Sequence, residues 1–223
     1  MSSGKQPAHA AQGTVQAPNH YEETPVSQGD VHLHGRYFTY QTAEGLVAGC
    51  NLSVMFTIDR TAKEVWSVLK DFNRWQKGHR YSGVIGDLEG KEFHLSLNPS
   101  SVGQKDAVQK DSFRIHYQVV KVIPEYLIVI YQPVPEGKVE PFPGLGRVSP
   151  GFHVFMLNEH GGKTVVTIVM NHASLMDDAS RTPRITEEEA VGPWRQMTRE
   201  GLRKWRDDFI PDLKNVIYEG RQK

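Results

Sequence analysis

Apolar residues alternate with others from Leu52 to Ile58: Leu52, Val54, Phe56 and Ile58 are separated by Ser53, Met55 and Thr57. A period of two predicts a strand with one buried face. The pattern then changes. Thr61 and Glu64 make a T-x-x-E capping box, and Val65, Val68, Leu69 and Phe72 follow at helical spacing, which predicts a helix and a second short turn ending at Trp75. A block of strand patterns comes next. Two are expected within residues 81–97 around Glu89-Gly90-Lys91, and a weaker one at 102–108. A long one spans 112–123, where Phe113, Ile115, Tyr117 and Val119 oppose Arg114, His116 and Gln118. Pro124-Glu125 predicts a turn into a strand ending at Gln132, and a last hairpin is expected across His160-Gly161-Gly162.

Residues 132–151 hold five of the thirteen prolines and four of the twenty glycines, which predicts an irregular loop or lid rather than a strand. Thr186 and Glu189 form a second capping box. Behind it Trp194, Met197, Gly201, Leu202, Trp205, Phe209 and Val216 form one apolar stripe. Pro193 and Pro211 each remove an amide donor, so a break or kink is expected near both, with Gly220 as the stop. Residues 1–30 are rich in Gly, Ser, Ala, Gln and Pro and read as a disordered leader; residues 31–49 read as an N-terminal extension, and 50–220 as the folded domain.

Composition narrows the partners. Lys plus Arg equals Asp plus Glu at 26 each, so no basic field exists to attract a phosphate backbone, and nucleic acid is not expected. No apolar run reaches the ~18 to 20 residues that span a bilayer. The first residues lack the apolar centre of a secretory signal, and one cysteine, Cys50, cannot form an internal disulfide; both fit the cytoplasm.

The order of elements, carried by NLSVMFTIDRTAKEVWSVLKDFNRW, PEYLIVIYQ, GGKTVVTIVMNHAS and the closing helix, resembles the START-like superfamily, also called SRPBCC or Bet v 1-like. The segments are most similar to bacterial polyketide cyclase/dehydrase-type members. The resemblance covers residues 50–220, while the leader and the 132–151 insertion depart from a minimal domain. It implies an α+β helix-grip fold: a curved antiparallel sheet wrapped around a long C-terminal helix, with two short helices after the first core strand. It also implies a cavity between sheet and helix for a small hydrophobic or aromatic molecule. The rival functions are a polyketide cyclase or dehydratase acting in that cavity, and a co-chaperone-like interaction module.

Several residues are candidates for the site. Val166, Ile168, Met170 and His172 share the inward face of the last long strand, and His172 sits where that face stops being apolar. Its two readings are a ligand anchor or general base, and a histidine bonded to nearby backbone. Tyr117 stands on an apolar strand face and needs a partner for its hydroxyl; pocket and core are both open to it. His116 falls on the polar face and reads as solvated. Trp75 ends the second helical turn, where the resembling folds place pocket-lining residues. Trp194 and Met197, early in the closing helix, either line the cavity or pack in the core.

Three enzyme-like signals fail. His32-x-His34 lacks a third metal ligand at a supporting distance. Residues 144–149 end in Ser149 and follow prolines, unlike a dinucleotide loop. Cys50 has no activating histidine beside it in sequence and reads as an ordinary strand-edge residue. No cofactor and no metal is implied.

Overall fold

The computed structural model describes residues 19–22, 25–76, 79–81, 92–97, 113–133, 147–178 and 184–219. The weaker strand expected at 102–108, the stop at Gly220 and most of the 132–151 loop lie outside them.

The strands are β1 (Asn19–Glu22), β2 (Val26–Gln28), β3 (Val31–Gln41), β4 (Gly45–Ile58), β5 (His79–Tyr81), β6 (Glu92–Leu97), β7 (Phe113–Ile123), β8 (Leu127–Gln132), β9 (Arg147–Val148), β10 (Gly151–His160) and β11 (Lys163–Asp178). The helices are α1 (Ala62–Leu69) and α2 (Phe72–Trp75) after β4, and the closing segment α3 (Glu187–Lys204), a π turn (Trp205–Phe209) and α4 (Ile210–Glu219). The eleven strands among the described residues join one antiparallel sheet in the order β1-β3-β4-β11-β10-β8-β7-β6-β5, with β2 on β3 and β9 on β11. One sheet face packs against α1, α2 and the closing helix. This is the helix-grip α+β fold.

Local chemistry explains the elements. Thr61 accepts from the Glu64 amide while Glu64 reaches back to the Thr61 amide, and Thr186 and Glu189 do the same for α3, so both expected capping boxes are present. The β10–β11 hairpin closes over Gly161 and Gly162 with φ of 59° and 75°, the paired positive values of a type I′ turn. β7 carries a bulge between Val119 and Lys121. The extra residue turns Val120 outward and lets Val119 and Val122 both face the core, a break in alternation that strict period-two reading does not anticipate.

The structure differs from expectation in three places. Strands begin well before residue 50. β3 and the first half of β4 pair along their length, and β1 and β2, which fall inside the expected leader, pair with β3. Asp30, expected as the end of that leader, accepts from Lys214 Nζ at 3.0 Å and from the Thr57 amide at 3.2 Å. Hydrogen-bonded pairing to a buried strand stabilises segments whose own composition would not fold. Second, Arg147 and Val148 of the expected loop form β9 against β11. Third, α3 runs unbroken through Pro193. Near Pro211 the helix continues as well, through the π turn, where the Ile210 amide bonds to Trp205 O. The wider turn accommodates the missing Pro211 amide.

The enclosed side of the sheet has two ends of different character. Toward α1, α2 and α4 it is apolar: Val54, Phe56, Ile58, Val166, Ile168, Phe155 and Leu157 pack with Trp75, Trp205 and Leu213. Toward α3 it turns polar, with Thr39, Gln132, Ser174 and Asp177 buried among smaller side chains.

Candidate functional site

The polar end is built by strand register. Tyr37 faces Cys50 across β3 and β4, Cys50 faces His172 across β4 and β11, and Gly151 faces Gln132 across β10 and β8. Directly opposed residues share a sheet face, so these positions form one row, and α3 packs on its β3–β4 end. The row continues onto β7 at Tyr117. In the next row His153 faces Met170.

His172 Nε2 and His153 Nε2 lie 2.9 Å apart, with the rings nearly perpendicular at 85° and centroids at 4.9 Å. Tyr117 packs on the other side of His153 at 5.5 Å between centroids. One imidazole donates its Nε2–H and the other accepts. Each neutral ring holds one proton, so the pair presents one Nδ1–H donor and one bare Nδ1 acceptor. Burial depresses His172 to about 4. His153 is held well below the ordinary histidine value, by burial first and by the His172 charge second. Burial also raises the Tyr117 hydroxyl well above the usual phenol range. All three groups are therefore neutral near pH 7.

Gly151 makes room for the pair. A Cβ there would meet His172 Nδ1 and Asn171 O at 2.8 Å each. Only a glycine lets the His172 ring lie over the β10 backbone.

Cys50 is a correction to the sequence reading. It is not at a strand edge; it lies inside β4 and is fully buried. Burial pushes its thiol up to about 12, with a small opposing effect from the Thr198 hydroxyl, so it is neither a thiolate nor a nucleophile. On α3 above it, Trp194 and Thr198 stand one turn apart at 1% and 0% exposure. Among the described residues, Trp194 Nε1 and Thr198 Oγ1 have no hydrogen-bond partner of normal geometry. The Cys50 thiol beside Thr198 is a weak partner at most.

α3 is held over this row by polar contacts. Glu187 Oε2 accepts from Asn19 Nδ2 at 2.9 Å, and from Tyr21 OH and Thr39 Oγ1 at 3.3 Å each. Arg195 donates to Tyr37 OH at 3.2 Å, lies over that ring at 5.3 Å and pairs with Glu188 at 3.0 Å.

Of the sequence candidates, Tyr117, Met170 and His172 come together around His153. Trp194 and Met197 belong to the adjoining cluster with Tyr37, Ala48 and Cys50. Trp75 is elsewhere: it packs against Phe72, Trp205 and Phe209, and its indole N–H donates to Leu69 O at 3.3 Å. His116 is half-buried with Nε2 shielded from solvent, and so is not the solvated residue expected. His32 and His34 are on β3, where His32 bonds Ser27 at 3.1 Å and His34 lies 3.9 Å from Glu22. Sequence reading missed His153. Its signal was the phase of β10: His153, Phe155 and Leu157 alternate on one face just as Met170 and His172 do on β11.

No family model matches the chain, and no curated protein matches it. Solved structures with a similar chain path include a Mesorhizobium loti protein, MLL2253, at 11% identity and a TM-score of 0.49, covering 76% of this chain and 97% of that one. A Thalictrum norcoclaurine synthase mutant in complex with a transition-state analogue is 12% identical, with a TM-score of 0.47 over 78% of this chain and 98% of that one. CalU16 from Micromonospora echinospora is 17% identical, with a TM-score of 0.35 over 92% and 93%. The fold assignment rests on the strand order and closing helix described above. Among the described residues no helix is long and apolar enough to cross a membrane.

Proposed function

We propose that the chain binds a hydrophobic or aromatic small molecule between the enclosed sheet face and the closing helix, its polar group held at Tyr117, His153 and His172. The observation that carries this reading is the neutral imidazole pair, which has no carboxylate partner among the described residues and lies where the apolar face gives way to a polar one. Neutral imidazoles in such surroundings can each give or take one hydrogen bond, which suits an uncharged ligand group such as a carbonyl or phenol. The buried Trp194 N–H and Thr198 hydroxyl add donors on the helix side. Each favours a ligand carrying an acceptor, because an unsatisfied buried donor costs about 1–3 kcal/mol.

A second reading, a polyketide cyclase or dehydratase, asks His172 to act as a general base. Its depression to about 4 argues against that role, since a useful base titrates near the working pH. An enzyme working through this pair would need the bound substrate to raise that value.

An anilinonaphthalene sulfonate dye tests the binding reading. The native protein is expected to bind about one equivalent saturably, aromatic molecules to displace it, and His172→Asn to weaken a carbonyl-bearing competitor while leaving a pure hydrocarbon unaffected. Absence of saturable binding to the native protein would sink the proposal.

A further inference from the structure

Gln132 differs from the other buried polar side chains. Thr39, Thr164, Ser174 and Asp177 are bonded, to Glu187, the Arg60 carbonyl, the Met176 sulfur and the Ile185 amide in turn. Gln132 is 3% exposed, and its side-chain amide has no hydrogen-bond partner among the described residues. Unlike Trp194 Nε1 and Thr198 Oγ1, its amide atoms are not sealed from solvent, so the little surface it keeps includes them. Ile128 and Ile130 precede it on the same buried face of β8. An apolar residue would continue that face, and an unpaired amide in its place is costly.

The register gives the amide its surroundings. Gln132 faces Gly151 across β8 and β10. From the β11 side the His172 ring leans over the same glycine, since a Cβ there would meet its Nδ1 at 2.8 Å and its Cε1 at 3.2 Å. Amide and imidazole therefore flank a position that has no side chain, in the row that continues to Tyr117.

A glutamine amide carries an acceptor and a donor side by side on one carbon. Its complement is a group with the same two functions in reverse order, the –CO–NH– edge of a lactam. A lone carbonyl leaves Oε1 without a donor, and a carboxylate sets an oxygen against it. We infer that Gln132 is a specificity-determining residue that takes the –CO–NH– edge of an aromatic lactam, Nε2–H donating to the ligand oxygen and Oε1 accepting from the ligand N–H. This rests on the binding reading above and narrows its ligand class.

Displacement of the anilinonaphthalene sulfonate dye by carbostyril, a benzo-fused lactam, and by N-methylcarbostyril, which lacks the N–H, tests the inference in the parent and in Gln132→Leu. In the parent carbostyril is expected to compete at least about tenfold better, the scale of one lost hydrogen bond. In Gln132→Leu the two are expected to compete equally, and the thermal midpoint is not expected to fall, because the amide has no bond to the described residues to lose. Saturable dye binding with equal competition in the parent would overturn the inference and leave the binding reading standing, the amide then holding water alone. No saturable dye binding would remove both. A preference that persists in Gln132→Leu would assign it to the bulk of the methyl group, and a lowered midpoint or a failure of that variant to fold would make the amide structural; either result overturns the inference.

Discussion

Two imidazoles in nitrogen-to-nitrogen contact set the chemistry of the polar end. With His172 held at about 4 in the native state against 6.5 when unfolded, the unfolded chain binds more protons between those values. Stability therefore rises with pH across that window: the contribution is present above pH 6.5 and is lost as pH falls toward 4. The full swing is about 3 kcal/mol for His172, and His153 acts in the same direction. Urea midpoints measured from pH 7 to 4.5 are expected to fall more steeply for the parent than for His172→Asn, whose amide does not titrate. Parallel profiles would mean that the rings are solvated. Gly151→Ala bears on the same contact. The added methyl would push the His172 ring off the β10 backbone, at a cost of about 1–3 kcal/mol, and calorimetry is expected to show the lowered midpoint. The position of His172 on an inward face was legible from alternation alone. Its partner was not, because strand pairing, and with it the neighbour of a given side chain, is absent from local sequence pattern.

At the scale of elements, the parts with strong local signals are the ones found: both capping boxes, the hairpin over Gly161 and Gly162, and the β4-α1-α2 succession. The misread parts depend on contacts made far along the chain. β1 and β2 are short and polar, and they hold their place by pairing with β3 and through Glu187 and Lys214, more than 150 residues on. Proline rules predicted a break or kink near Pro193 and Pro211; α3 continues through Pro193, and in front of Pro211 the helix yields locally as a π turn. That turn carries Trp205 and Phe209, which contact each other at 5.1 Å and both meet Trp75. An inserted residue per turn rotates the aromatic stripe toward α2, so the turn serves packing as well as proline. Trp205 is 4% exposed, and Trp205→Ala is expected to cost about 3–5 kcal/mol, read as a lowered denaturant midpoint. An unchanged midpoint would show that the aromatic cluster carries little of the stability.

For the whole molecule, the division of the enclosed face into an apolar and a polar end makes the N-terminal strands part of the site's support. β1 is the outermost strand on the side where α3 docks, and Tyr21 stacks on Tyr37 at 5.3 Å and 8°. Tyr37 in turn bonds Arg195, and Asn19 and Tyr21 supply two of the three donors to Glu187. Removing residues 1–30 deletes the stack, two of those bonds and the Asp30 contacts, and exposes one edge of β3. Two side-chain bonds at about 1 kcal/mol each, with an aromatic contact of about 1 kcal/mol, suggest a loss of some 3 kcal/mol. For a chain of this size that is a drop of about 6–12 °C in Tm. The first turn of α3 would also lose two of the donors to Glu187, so dye affinity is expected to fall along with Tm. A truncated chain with unchanged Tm and dye affinity would show that the helix keeps its position over Cys50 and His172 through Arg195 and apolar packing alone. Asn19→Ala with Tyr21→Phe in the full chain separates the two contributions: it removes both donors but keeps the aromatic ring and the paired edge, so it is expected to lower dye affinity with about two thirds of the Tm change.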